Sequence, residues 1–277
     1  MHRVSSAAIS EGAWMDGDTR AALEQVGRDI AGAQFAVAFT GAGISTESGL
    51  PDYRGANGLW KNKRFEELAN IDTFRREPVE FWQFYAERLH ILKGARPNPA
   101  HVALEILSFH DLIKLVITQN VDGLHRRDYF GATLVELHGS LRTATCLECG
   151  RDWGMERVEE GLATAEDGVP RCDCGYPLKP GVTLFGEQLP RGAMETAMGA
   201  AAAADYLLCL GSSLQVMPAA AIPAFVLEHG GRVAIINHGK TDYDFEQGVT
   251  KVDASLAEAM PIVLDAAEHA SMSSRVT

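Results

Sequence analysis

The sequence predicts an α/β fold in which a parallel sheet carries helices on both faces, with a helical insertion and a small cysteine-rich module set into it. Three observations predict this. Short apolar, β-branched runs (FAVAFT, LIKLVITQN, TLVELHG, ADYLLCLGSSL, RVAIIN) recur along the chain, as strands buried on both faces require. Helix-like stretches such as AHVALEILSF and PAAAIPAFVLEHG lie between several of them, which is the alternation of a doubly covered sheet. Each run ends in Gly, Ser, Asn or His, and in such folds ligands sit beyond the carboxyl ends of the strands. GAGIST, TQNVDGLH, HG, GSS and IN therefore fall on one rim.

The elements follow in order. Residues 1–19 lack the apolar core of a signal peptide and read as a flexible arm. Leu23, Val26 and Ile30 recur at helical spacing and predict a helix over 20–33. Residues 20–55, 100–140 and 181–265 hold the apolar runs and make the sheet domain. Residues 56–99 form a helical insertion around PVEFWQFYAERLHIL. Residues 141–180 are Gly-rich and hold four of the five cysteines. Insertion and module together suggest a second, smaller domain. Residues 266–277 read as a flexible tail. There is no internal repeat.

Composition limits the functional classes. With 277 residues, 46% hydrophobic and 22% charged, the chain suits one large domain plus a smaller module. A net charge of −12 argues against a general nucleic-acid binder. It leaves room for a cationic protein or peptide. No apolar stretch is long enough to span a bilayer.

Cys146, Cys149, Cys172 and Cys174 offer four soft ligands, which suit one tetrahedral Zn²⁺. No His or carboxylate stands by to complete an open catalytic site, so the zinc is expected to be structural. The second knuckle, C-x-C, is one residue shorter than a doubled C-x₂-C. Such thiols fit a reducing cytoplasm better than a disulfide framework. Cys209 reads as a small buried hydrophobe.

GAGIST follows a strand, and its glycines would let the backbone approach a pyrophosphate, as in a Rossmann-like sheet. Thr46 replaces the third glycine of G-x-G-x-x-G, and no acidic residue stands ~20 residues on as a dehydrogenase would want. A plain glycine turn is the alternative. His138 lies on the rim and could serve as a base near neutral pH, or be a satisfied strand-end histidine. His125 reads more readily as a capping or packing residue, and His101 as structural.

The ordered set GAGIS (41–45), GLPDYRG (49–55), TQNVDGLH (118–125), HG (138–139), the cysteine cluster, LKPGVTLFGE (178–187), GSSL (211–214) and IIN (235–237) resembles the sirtuin family over roughly residues 20–265. Sirtuins are NAD⁺-dependent protein-lysine deacylases. The resemblance implies a role at each matching position. Gly41, Ala42 and Gly43 would line the pyrophosphate. Asp52, Tyr53 and Arg54 match the loop that closes over NAD⁺. Gln119, Asn120 and Asp122 match the residues holding the nicotinamide ribose and carboxamide. Gly211, Ser212 and Ser213 match phosphate and ribose contacts, and Asn237 the adenosine ribose. His138 matches the catalytic base. Val182, Leu184 and Phe185 match the strand along which the acylated peptide lies, with Phe185 walling the acyl-lysine channel. The implied chemistry is attack of the acyl oxygen on the nicotinamide ribose carbon. His138 then activates a ribose hydroxyl, and lysine and O-acyl-ADP-ribose are released. The chain departs from the common pattern at Leu50, Tyr53, Ser212 and His238, and in the C-x-C knuckle.

Tyr85 and Arg88 stand three residues apart, so on a helix they share a face. The Arg fork suits a carboxylate and Tyr adds a hydroxyl donor. The pair resembles the sirtuin branch that removes succinyl, malonyl or glutaryl groups. Ala69 stands where that branch has a small residue widening the pocket. The alternative is a surface helix with Arg88 solvated. For the whole chain, the alternatives are mono-ADP-ribosyl transfer and a non-catalytic NAD⁺ or ADP-ribose sensor. Presence of both His138 and Asn120 weighs against a sensor.

Overall fold

A computed structural model describes residues 15–55, 58–126 and 129–274. Positions 1–14 of the expected arm and 275–277 of the expected tail lie outside the described residues. Asp16 starts α1 (Gly17–Gly32) by accepting from Thr19 N at 2.8 Å, a side-chain cap for an orphan helix N–H. β1 (Ala36–Thr40) follows and runs into a 3₁₀ turn over Ala42–Ser48. Helices α2 (Lys63–Leu68), α3 (Ile71–Arg76) and α4 (Pro78–Gly94) make up the insertion. Asn98 and His101 close a capping box on α5 (Pro99–Phe109). β2 (Leu115–Thr118) and β3 (Thr133–Glu136) come next.

The cysteine module is framed by β4 (Gly139–Cys146), β5 (Asp152–Gly154), α6 (Met155–Thr164) and β6 (Leu178–Val182). The chain then returns to the main domain through α7 (Ala193–Ala203), β7 (Tyr206–Leu210), α8 (Ile222–Glu228), β8 (Arg232–Ile236), β9 (Val249–Val252) and α9 (Leu256–Ser274).

The main sheet has the order β3-β2-β1-β7-β8-β9, and each neighbouring pair is parallel. β1 and β7 lie side by side, yet the chain leaves β1 toward one edge and leaves β7 toward the other. That reversal is the switch point at which open α/β sheets bind ligands. Helices cover both faces. Ala36 and Ala38 of β1 join a core with α1, α5 and α9, while Val37 and Phe39 join one with α7 and α8, the period-2 alternation of a strand. No helix among the described residues is long and apolar enough to cross a membrane.

The insertion and the cysteine module share a third core. Phe74, Phe81, Trp82 and Leu89 pack with Ala144, Val158, Leu178 and Val182, and Trp82 Nε1 donates to Leu178 O at 2.9 Å. Within the module β5, β4 and β6 form an antiparallel sheet.

Two boundaries differ from the sequence reading. Residues 17–19 belong to α1 rather than to the arm, because Asp16 provides a cap. Residues 266–274 belong to α9 rather than to a tail, because Ala267 is buried in the core that α9 shares with α1.

Candidate active site

A cavity of about 1240 Å³ opens along the rim between the two domains. It receives Gly41, Ala42 and Gly43 from the turn after β1, and Gly211, Ser212 and Ser213 from the turn after β7. Asp52, Tyr53 and Arg54 enter from the loop beyond the 3₁₀ turn, Gln119 and Asn120 from the end of β2, and Asn237 from the end of β8. His138 stands at the entry to β4. Ala69, Tyr85, Arg88, Val182, Leu184 and Phe185 line the small-domain side. Of the candidate cofactor and substrate residues, Asp122 alone is set back. It lines an adjoining cavity of about 60 Å³, together with Ser45, Tyr53 and Arg88.

Hydrogen bonds fix the polar groups before any ligand arrives. Gln119 Nε2 donates to Ser212 Oγ at 2.8 Å, spanning the switch point. Asn120 Nδ2 donates to Gly41 O at 3.1 Å and to Ser45 Oγ at 3.2 Å. Ser45 Oγ donates to Asp122 Oδ2 at 2.8 Å, and Leu124 N donates to Asp122 Oδ1 at 2.9 Å. Burial pushes the Asp122 carboxyl above its ordinary range, and these two donors oppose the rise. Lys251 Nζ donates to Asn237 O at 2.6 Å, which holds the end of β8 in place.

His138 Nδ1 lies 3.0 Å from Gln119 O. A carbonyl only accepts, so the ring proton sits on Nδ1 and Nε2 carries the lone pair. Burial lowers the His138 pKa, and the Gln119 carbonyl opposes this. The ring is therefore neutral and basic at Nε2 at neutral pH.

His125 and His101 stay out of the cavity. His125 is buried with Nε2 2.9 Å from Thr40 Oγ1, and burial lowers its pKa to about 3. It packs as a neutral ring beside His101, 5.1 Å away between centroids. His238, where the motif departs from its relatives, points Nδ1 at Asp253 Oδ1 at 2.7 Å and lines the cavity next to Asn237.

On the substrate side, Tyr85 and Arg88 share the buried flank of α4 and line the same cavity as Ala69. Arg88 Nη2 donates to Tyr53 Oη at 2.9 Å, while Arg88 Nε is buried with no partner among the described residues. The segment that follows β6 is pinned twice. Lys179 Nζ donates to Val182 O at 2.6 Å and to Glu187 Oε2 at 2.9 Å, and Leu184 N also donates to Glu187 Oε2. Phe185 bridges to Asn70 beside Ala69 and presents 42% of its surface to solvent.

Sequence reasoning missed several lining residues. Trp60 lies 4.7 Å from the tilted Tyr53 ring and 5.9 Å from Phe185, between centroids, joining the 52–54 loop to the 182–185 segment. Ser45, in the GAGIS turn, bridges Asn120 and Asp122 through its hydroxyl. Its place before a polar loop was the only available signal.

The four cysteine sulfurs lie within 4.8 Å of one another, with Cys146–Cys174 at 3.5 Å and Cys149–Cys172 at 3.6 Å. Tetrahedral Zn–S bonds of ~2.3 Å put sulfurs about 3.8 Å apart, so this set fits one zinc ion. The shorter knuckle reaches the site because Gly175 N turns back onto Cys172 O at 2.9 Å, much as Gly150 N does onto Cys146 O.

The parallel sheet with a glycine-lined crevice at its switch point defines a dinucleotide-binding protein of the Rossmann-like class. The second domain and the comparisons narrow this. A sequence profile of the Sir2 family matches residues 41–218. An NAD-dependent protein deacetylase of Caldivirga maquilingensis is 43% identical over 93% of this chain and 96% of its own length. An NAD-dependent protein deacylase of Thermococcus kodakarensis is 47% identical over 75% of this chain and 81% of its own. A solved Sir2 with p53 peptide and NAD⁺ superposes with a TM-score of 0.77 at 36% identity, covering 86% of this chain and 95% of that one. The chain belongs to the Sir2 family.

Proposed function

We propose that this protein is an NAD⁺-dependent protein-lysine deacylase and that it favours acidic acyl groups such as succinyl or malonyl. The family and the names of its relatives support the deacylase reading. The acyl preference rests on one observation. Arg88 brings a positive charge to the cavity wall with no carboxylate partner among the described residues, and its Nε is buried without an acceptor. An uncompensated buried charge is costly, and a carboxylate on the acyl chain would relieve it.

When bound, NAD⁺ supplies an electrophilic ribose carbon and a leaving nicotinamide. The residues of the chain do the rest. Gly41, Ala42, Gly43, Gly211, Ser212 and Ser213 offer backbone and hydroxyl donors for the phosphates and ribose, and Asn237 reaches the adenosine ribose. Asp52, Tyr53 and Arg54 cover the nicotinamide end. Gln119 and Asn120 hold the ribose and carboxamide, and Asp122, through Ser45, places negative charge near the carbon where positive charge develops. His138 Nε2 takes the proton of a ribose hydroxyl. Val182, Leu184 and Phe185 carry the peptide, and Ala69 leaves width for the acyl chain. Cys146, Cys149, Cys172 and Cys174 hold a structural Zn²⁺. A reducing compartment keeps these thiols as ligands, which supports a cytoplasmic setting.

The test is one peptide carrying succinyl-lysine or acetyl-lysine, incubated with NAD⁺ and followed by mass spectrometry. Succinyl loss is expected to be faster, with nicotinamide and O-succinyl-ADP-ribose appearing together. Faster acetyl loss would remove the acyl preference and keep the deacylase. NAD⁺ consumed with neither peptide deacylated would remove the deacylase reading.

A further inference from the structure

Tyr53 entered the site as part of the cofactor loop, but its hydroxyl is engaged elsewhere. Its Oη accepts from Arg88 Nη2 at 2.9 Å, and the Arg88 guanidinium carbon lies 5.5 Å from the Tyr53 ring centroid. Phe84 flanks the same guanidinium at 5.4 Å. Tyr53, Tyr85 and Arg88 all line the large cavity, and Tyr53 and Arg88 also border the small one behind it. Because the phenol oxygen accepts from Arg88, its own hydrogen remains to be donated. A carboxylate has about four lone-pair sites. Arg88 and Tyr85 together do not fill them.

We infer that Tyr53 is a specificity-determining residue for the acyl group, the third donor to a carboxylate held by Tyr85 and Arg88. The inference rests on the acidic-acyl reading above. Tyr53 acts in two ways. It holds the Arg88 fork in the cavity while no acyl chain is present, so less ordering is needed on binding. It then donates its hydroxyl hydrogen to the acyl carboxylate from the cofactor side, opposite α4. Phenylalanine at this position would keep the ring contact with Trp60 and lose both effects.

The experiment measures kcat/KM of wild type, Tyr53→Phe and Arg88→Met on succinyl-lysine and acetyl-lysine forms of one peptide at saturating NAD⁺. The readout is the succinyl-to-acetyl ratio, in which any change in cofactor handling cancels. Tyr53→Phe is expected to lower that ratio roughly tenfold, through KM of the succinyl peptide more than kcat, the size of one hydrogen bond to a charged group. An unchanged ratio in Tyr53→Phe with a reduced ratio in Arg88→Met would overturn the role of Tyr53 and leave the acidic-acyl reading standing. An unchanged ratio in both variants would overturn the two together.

Discussion

At His138 the proton is held on Nδ1 by the Gln119 carbonyl, 3.0 Å away, so Nε2 is free for the proposed role as base without rearrangement. Two outcomes are expected. His138→Ala should lower turnover by ~10²–10⁴-fold while calorimetry finds NAD⁺ binding close to wild type; retained deacylation would remove His138 from the reaction. The second concerns pH. In the proposed role His138 works only when deprotonated, and burial places its pKa below the ordinary 6.5. The rate should therefore be flat across neutral pH and fall only as acid is added below 6.5. A pH profile whose acidic limb lies above 6.5 would contradict this. His138 was legible in the sequence because it ends an apolar run on the rim. His125 was legible as a packing residue, but its partner Thr40, 85 residues away in the chain, was not. Arg88 fell between the two. Its spacing from Tyr85 could be read directly, but its bond to Tyr53 depends on how the insertion docks.

Among the elements, β4 and β6 link the four cysteines to the proposed base. Their register pairs Gly139 with Val182 at one end and Cys146 with Leu178 at the other. His138 and the 182–185 segment thus lie at the cavity end of two paired strands whose far end is closed by the four thiols. One zinc per chain is expected by elemental analysis. Cys174→Ser, or removal of the ion by a chelator, should lower the melting temperature and the activity together, since the ion would tie Cys146 and Cys149 to Cys172 and Cys174. Full activity in metal-free protein would break the link. This sheet was hard to see in the sequence because β6 contains Pro180 and Gly181, which argue against a strand. β9 was missed for a related reason. It is a four-residue edge strand, VTKV, half polar and paired on one side only. The helical end of the chain was hidden by its composition, HASMSS, whereas burial of Ala267 depends on α1 lying beside it.

Across the whole molecule, the reversal between β1 and β7 decides where everything else must gather. The strand order could not be read from the sequence, yet the rim could, because each strand brings its polar terminus to the same side whatever the order. What the order adds is the closeness of two turns. A Cβ on Gly43 would lie 2.7 Å from the Gly211 Cα, and one on Gly211 would lie 2.8 Å from the Gly43 Cα. Gly43→Ala is expected to cost about 1–3 kcal/mol by overpacking, read as a lower melting temperature together with weaker NAD⁺ binding. A variant with wild-type stability would show that the turns can part.

Most crowded contacts leave an evolving lineage a way out, because a larger residue on one side becomes acceptable once the other side shrinks. Gly43 and Gly211 have no such exchange to make. Each is already the smallest residue, and what a new side chain would strike is the other's main chain. Drift elsewhere in the pocket can retune which acyl group or which peptide is accepted, one tolerated step at a time. At these two positions the first step already costs stability and cofactor binding, and no smaller partner can offset it.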